Sequence, residues 1–172
     1  WQRALAADSE IERVKHQLAC LEILLRNLGA YFVLDYLRGP HDTRVHDLLL
    51  AMDRPSYGHW HALAREALRA IRNRSEPQPF FPEAVDWYFD HKGKPTPAHR
   101  TIEDLVTLRN IDAHDTPTLG AKASEKRSGE LFAELRSVFE TLEWIRGYRL
   151  FKAHHFDRKR SRQVQFDGKV TF

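Results

Sequence analysis

The chain has 172 residues, of which 42% are hydrophobic and 30% charged, and its formal net charge is +3. These values predict one folded domain large enough to bury a core, and they argue against a disordered chain. No apolar run approaches the roughly 18 residues of a bilayer-spanning helix, so we expect no membrane association. A single cysteine, Cys20, excludes an internal disulfide and a zinc site built from cysteines, and we expect a cytoplasmic protein.

Helix is expected to dominate, because leucine and alanine far outnumber valine, isoleucine and threonine. The first predicted helix runs from about Ser9 to Arg38, with Ser9 and Glu12 arranged as a capping box. Its apolar residues alternate spacings of three and four, which predicts one buried seam: Ile11, Val14, Leu18, Leu21, Leu25, Leu28 and Phe32.

Shorter helices follow in the middle of the chain. One is predicted over Val45 to Met52, and a second begins after Pro55-Ser56. The apolar face of the second is Trp60, Leu63, Ala64, Ala67, Leu68 and Ile71, so the imidazoles of His59 and His61 are expected at the surface. A short aromatic helix is predicted around Pro82 to His91.

Two further helices complete the prediction. One runs from Thr101 to Asp115, and a long last helix begins at Ser124. The last helix has a second apolar seam, made of Leu131, Leu135, Val138, Leu142 and Ile145. We therefore predict an all-α antiparallel bundle, in which the two long terminal helices pack against each other and the shorter helices complete the core.

The C-terminal stretch has a different pattern. Apolar residues alternate around Asp167-Gly168, which predicts a short β-hairpin. An isolated hairpin is marginal in water, so it either begins a further domain or adds to a partner's sheet. We therefore divide the chain into a helical domain over 1–155 and a basic linker with a hairpin over 156–172.

The residues with the clearest chemical signal lie between Thr101 and Asp115. Arg109 projects from the middle of an apolar arc formed by Ile102, Leu105, Val106 and Ala113. A guanidinium in that position is unfavourable unless it is paired or faces an anion. Asn110 and His114 share the neighbouring face. Because Arg109 and His114 lie about 140° apart on an ideal helix, a second copy of the helix in a symmetric dimer would help them converge.

The segment Arg109-Asn110-Ile111-Asp112-Ala113-His114 resembles the R-x(4–6)-H signature of the HEPN superfamily of all-helical domains. Its place on the penultimate helix, after a long first helix and before a long last one, matches the order of elements in those domains. The resemblance covers about residues 9–155 as architecture and is specific only at residues 109–114. It implies a HEPN-like bundle.

The same resemblance implies a metal-independent endoribonuclease without a cofactor, in which two protomers face each other across a cleft. Arg109 would then hold the scissile phosphate, His114 would act as general acid or base, and Asn110 would orient the substrate or His114. The nucleophile would be the RNA 2′-hydroxyl. The implied setting is bacterial antiviral defence or a toxin–antitoxin system, with an antitoxin or a fused effector or sensor domain as a further partner.

Three alternatives remain at the level of sequence. Arg109 could pair with Asp112 or with a carboxylate of the first helix while His114 caps the helix end. The domain could also be an inactive HEPN-like module for dimerisation or for binding nucleotide or RNA within a larger protein. The pair His114-Asp115 with an upstream histidine, His91 or His99, resembles the metal-ligand motif of helical HD phosphohydrolases, although no downstream aspartate on a predicted helix completes that ligand set.

Basic residues are concentrated near the end of the chain. Lys152, Arg158, Lys159 and Arg160 form a run that could follow an RNA phosphate backbone. A solvated linker is the alternative interpretation of the same run.

Overall fold

A computed structural model describes residues 1–115 and 121–148, apart from the side chains of 112–115 and 121. The described ranges contain α1 (Gln2–Leu5), α2 (Glu10–Tyr36), α3 (Thr43–Leu50), α4 (Tyr57–Asn73), α5 (Pro82–Tyr88), α6 (Pro97–Asp115) and α7 (Ala121–Thr141). A 3₁₀ turn over Glu143–Gly147 follows α7. No β-strand occurs in the described ranges, so the predicted all-α class is confirmed there. The predicted hairpin lies outside the described residues.

The start of α2 after Ser9 and most of its buried face agree with the prediction, but only one of the two hydrogen bonds of the predicted capping box is found among the described contacts. Ser9 is extended, and its side chain accepts a hydrogen bond from the backbone N–H of Glu12. Five of the seven seam residues are buried: Val14, Leu21, Leu25, Leu28 and Phe32. Leu18 is half-buried against the core, whereas Ile11 in the first turn remains exposed.

The predicted antiparallel packing of the two long helices is wrong, because α2 and α7 run in the same direction. The amide of Gln17 donates to the backbone carbonyl of Ser128 at 3.1 Å near the start of both helices. Further along the two helices, Leu28 of α2 and Leu142, the residue just after α7, line one depression. A heptad pattern shows which face of a helix is buried, but it reads the same in either direction. The direction of a helix depends on the segments that connect it to its neighbours. Two neighbouring elements that run in the same direction need a long connection, because the chain must return to the starting end before the second one begins.

The chain between α2 and α4 provides such a connection. Residues 37–56, which include α3, return the chain to the beginning of α2, so that α4 also runs alongside α2. The phenol of Tyr57 at the start of α4 contacts the carbonyl of Leu18, and Arg74 just beyond α4 contacts Asp35 near the end of α2. Three helices thus share one direction around the core.

A buried ion pair joins the ends of α2 and α4. The side chains of Asp35 and Arg74 are each 2% exposed, and the guanidinium Nη2 of Arg74 lies 2.6 Å from Oδ1 of Asp35. Arg74 also donates to the backbone carbonyls of Asp35 and Pro77. The second carboxylate oxygen of Asp35 accepts the backbone N–H of Phe80. We call this set of contacts the α2–α4 clamp, because it also holds the loop that leads to α5.

By length and composition α2 could cross a membrane. The core helix of a soluble protein passes the same test, and α2 supplies much of this core. The expectation of no membrane association therefore remains a prediction.

Candidate functional site

The helix that bears the candidate residues, α6, begins at Pro97, one turn before the predicted start at Thr101. The hydroxyl of Thr96 accepts the backbone N–H of His99 at 3.3 Å, which is the contact of an N-terminal cap. Proline is favoured in the first turn because its missing N–H has no helical partner there. The pair Thr96-Pro97 was therefore a start signal in the sequence.

The three described residues of the predicted apolar arc of α6 are buried, and Arg109 lies where that arc meets the start of α4. Ile102, Leu105 and Val106 are at most 6% exposed. Arg109 is half-buried, and its Cζ atom lies 4.3 Å from the centre of the Tyr57 ring. A guanidinium over an aromatic face is attracted by the quadrupole of the ring. This contact explains how a cation is accommodated beside an apolar stripe.

Tyr57 is held in place from two sides. The helix start before it is fixed by a capping box, in which Ser56 and His59 exchange side-chain and backbone hydrogen bonds. Its own hydroxyl donates to the backbone carbonyl of Leu18 at 3.2 Å. Burial raises the pKa of Tyr57 and the negative charge of Glu22 raises it further, although Arg109 favours the ionised form. The ring is thus a neutral support attached to both α2 and α4.

The polar groups of Arg109 are directed toward Asn110 and solvent. Its Nη1 donates to the side-chain oxygen of Asn110 at 3.3 Å, and Asn110 itself is exposed. Among the side chains that the structure describes, no carboxylate lies within ion-pairing distance of Arg109. The alternative in which a carboxylate of the first helix pairs with Arg109 therefore finds no support in the described residues.

The structure describes only part of the predicted site. It brings Arg109 and Asn110 together, and it places the backbone of His114 in the last turn of α6. The side chains of His114 and of Asp112, the other proposed partner of Arg109, lie outside the described residues. So do all four basic residues assigned to RNA contact: Lys152, Arg158, Lys159 and Arg160.

Tyr57 is the residue that sequence reasoning missed. In the sequence Tyr57 is marked only by its place just after the predicted helix start at Pro55-Ser56. Its contact with Arg109 joins residues 52 positions apart. Helical periodicity describes neighbours within one helix, so it contains no signal for such a contact.

A second polar cluster lies further along α4 and corrects another expectation. His61 is 5% exposed, and its ring meets that of His99 on α6 with centroids 5.4 Å apart. The ring of Tyr88 stacks on His99 at 4.1 Å. Trp60 and His61 are both drawn inward because α4 is covered on two sides, by α2 and by α5 with α6. The prediction of a surface imidazole at His61 is therefore wrong.

The cluster favours neutral histidines. Burial, followed by the charges of His99 and Arg65, lowers the pKa of His61 to about 4. Burial also lowers the pKa of His99, and the nearby carboxylate of Glu103 opposes that effect only in part. A neutral imidazole can bind a metal, but among the described residues no group of three or more histidine, cysteine, aspartate or glutamate side chains is placed to do so. His91, the other histidine of the HD-type alternative, is exposed on the loop after α5.

The largest depression among those described does not coincide with Arg109. It has a volume of about 510 Å³ and lies between α1 and α7, where Trp1, Leu5, Phe132 and Phe139 form its apolar walls.

Comparisons of the chain with protein-family models, with curated proteins and with solved structures find no match. The HEPN resemblance therefore rests on the motif at Arg109 to His114 and on the order of the helices.

Proposed function

We propose that this protein is a HEPN-like, metal-independent endoribonuclease that acts as a dimer in a bacterial defence or toxin–antitoxin-like setting. The observation that supports the proposal best is the state of Arg109. It is a half-buried guanidinium supported by Tyr57, it is bonded to the exposed amide of Asn110, and it has no carboxylate partner among the described side chains. A cation held in this way is ready to bind an anion.

The chemistry requires only groups that the chain and RNA provide. The 2′-hydroxyl of the RNA loses its proton to a base and attacks the adjacent phosphorus. The bond from phosphorus to the 5′-oxygen breaks, and that oxygen takes up a proton, which leaves a 2′,3′-cyclic phosphate and a 5′-hydroxyl. Arg109 stabilises the charge on the phosphate oxygens, and His114 transfers one of the two protons, since an ordinary histidine titrates near neutral pH.

A second protomer would complete this arrangement. Arg109 and His114 project about 140° apart from an ideal helix, so one copy of α6 does not direct both at one phosphate. A two-fold axis beside α6 would bring Arg109 of one protomer toward His114 of the other. Light scattering should then show a species of about twice the 20.2 kDa of one chain. A particle of 20.2 kDa at working concentration contradicts the dimer.

The cleavage assay uses purified protein and end-labelled RNA in excess chelator. Wild type should cut RNA and leave the matching DNA intact, and Arg109→Ala and His114→Ala should each lose activity by about 10²-fold or more. Arg136→Ala is the matched control, because Arg136 is an exposed arginine on α7 that pairs with Glu140 and lines the depression between α1 and α7, away from α6. Equal cleavage by all four proteins, or none by wild type, contradicts the proposal.

The same assay separates the alternatives. RNA that is bound but never cut, with binding lost in Arg109→Ala, favours the non-catalytic module, because holding a phosphate and cleaving beside it require the same cation. Cleavage that appears only when a divalent metal is added favours the HD-type chemistry instead. Removal of residues 149–172 tests the basic run: weaker binding with a smaller dependence on salt would assign it to the RNA backbone.

A further inference from the structure

We propose that Tyr57 is a positioning residue, which holds the guanidinium of Arg109 in the orientation that binds phosphate. The inference rests on the proposed function for its kinetic consequence. The contact itself does not depend on that function, because it is present in the protein without any ligand. The Cζ atom of Arg109 on α6 lies 4.3 Å from the centre of the Tyr57 ring on α4.

An arginine side chain has four rotatable bonds, and ordering it carries an entropic cost. The face of the Tyr57 ring restricts that freedom before any ligand arrives. Stacking uses the planar face of a guanidinium, whereas anions bind at its N–H edge, so the two contacts are compatible. The hydrogen bond from Nη1 to Asn110 further limits rotation about the last bonds.

The support is itself anchored to the fold. The phenol donates to the carbonyl of Leu18, and the capping box of Ser56 and His59 fixes the turn from which Tyr57 projects. Glu22 on α2 reinforces the effect of burial in raising the pKa of Tyr57, so the ring stays uncharged at neutral pH and above. Any change of the angle between α2 and α4 would therefore move Arg109 as well.

Two substitutions separate the ring from its hydroxyl. Tyr57→Phe keeps the aromatic face but loses the bond to Leu18 and the polar interactions of the hydroxyl with Glu22 and Arg109. It should lower the unfolding temperature but leave RNA cleavage within about twofold of wild type, because the ring that supports the guanidinium remains. Tyr57→Leu removes the face. It should lower kcat/KM by about 2- to 30-fold, the range expected for loss of a cation–π contact.

A matched control exists elsewhere in the molecule. Arg38 lies over the ring of Phe80 at 3.6 Å, and this exposed pair lies at the α2–α4 clamp beyond the end of α2, whereas Tyr57 bonds to Leu18 nearer the start of that helix. Phe80→Leu therefore removes a similar contact without touching the proposed site, and its kcat/KM should equal that of wild type. A loss in Phe80→Leu equal to that in Tyr57→Leu would show a general effect of stability and overturn the positioning role.

A second measurement does not depend on RNA. The Nε–Hε signal of Arg109 in a ¹⁵N NMR spectrum, assigned by its absence in Arg109→Lys, should be displaced by the ring current of Tyr57 in wild type and in Tyr57→Phe but not in Tyr57→Leu. The same signal position in all three proteins overturns the inference whatever the protein cleaves. A displaced signal in a protein that neither binds nor cuts RNA supports the positioning of Arg109 and contradicts the proposed function. A displaced signal with unchanged cleavage by Tyr57→Leu overturns the positioning role alone.

Discussion

Two arginines of this molecule, Arg74 and Arg109, are both held by contacts with other helices. They differ in how many of their N–H groups remain available to bind a ligand. In the α2–α4 clamp, the side chain of Arg74 is 2% exposed, and it donates to the carboxylate of Asp35 and to three backbone carbonyls. At the candidate site, Arg109 is half-buried, rests on the Tyr57 ring and hydrogen-bonds to one exposed amide.

The difference indicates which arginine is structural. A buried guanidinium with a carboxylate and several carbonyl partners has no capacity for a ligand, and its removal leaves the buried carboxylate of Asp35 with the partly exposed Arg38 as its remaining cation. A guanidinium that is supported by a ring and open at its edge stabilises the fold little and can bind an anion. Stability and activity should therefore respond in opposite ways to substitution at the two positions.

The largest effect on stability is expected at the clamp. Arg74→Met should lower the free energy of unfolding by about 3 kcal/mol, because the buried carboxylate of Asp35 loses its buried cation and keeps only the partly exposed Arg38. Urea denaturation followed by circular dichroism measures the loss. Arg136→Met is the control and should lose less than about 1 kcal/mol, since the Arg136–Glu140 pair is exposed. Equal losses in the two variants would show that the clamp is not the main structural ion pair.

The second prediction is that Arg109, unlike Arg74, matters for activity and little for stability. Arg109→Ala should change the free energy of unfolding by no more than about 1 kcal/mol, because it removes a half-exposed cation–π contact. The same variant should lose about 3–4 kcal/mol of transition-state stabilisation in the chelator cleavage assay. Denaturation and cleavage are measured on one preparation. A variant that unfolds as readily as Arg74→Met would make Arg109 a structural residue.

The sequence indicated the local features of both regions but not the contacts between them. The cap at Ser9, the buried seam of α2 and the apolar arc around Arg109 follow from spacing and from the chemistry of single helices, and they agree with the structure. The shared direction of α2 and α7 and the support of Arg109 by Tyr57 depend on how separate helices meet. Periodicity does not encode those relations, because it repeats identically whichever neighbour covers the helix.

A third prediction concerns the buried cluster of His61, Tyr88 and His99, which resembles the clamp in burial but has no charge. Arg65 on α4 and Glu103 on α6 also face it. The pKa of His61 is about 4 in the folded protein and about 6.5 when unfolded, so the unfolded chain binds more protons between these values. Stability should be complete above pH 6.5 and fall by roughly 3 kcal/mol as the pH drops through that window to 4.

Denaturation at a series of pH values checks this window. His61→Leu should flatten the dependence between pH 6.5 and 4, since it removes the group that must be protonated against its burial. His91→Gln is the control, because His91 is exposed on the loop after α5. If the free energy of unfolding of His61→Leu falls as steeply between pH 6.5 and 4 as that of wild type, other titratable groups cause the effect.

The smallest effects are expected near Arg72. This arginine lies at the surface and donates to a backbone carbonyl, so among the described residues it has fewer partners than Arg74 and no exposed amide partner like that of Arg109. Its Nη2 donates to the carbonyl of His91 at 3.1 Å, and the loop turns there at Gly93 with φ of 77°. Gly93→Ala should cost about 1–2 kcal/mol, because an L-residue is strained at that φ and its Cβ would lie 2.8 Å from the guanidinium. Gly129→Ala, in the middle of α7 with open space around it, should instead stabilise the protein by about 0.5–1 kcal/mol. Urea denaturation measures both changes in the free energy of unfolding. Opposite signs would show that the surface turn requires the backbone conformation of Gly93. A gain in stability at both positions would mean that Arg72 and the loop move aside freely, unlike the fixed partners of Arg74.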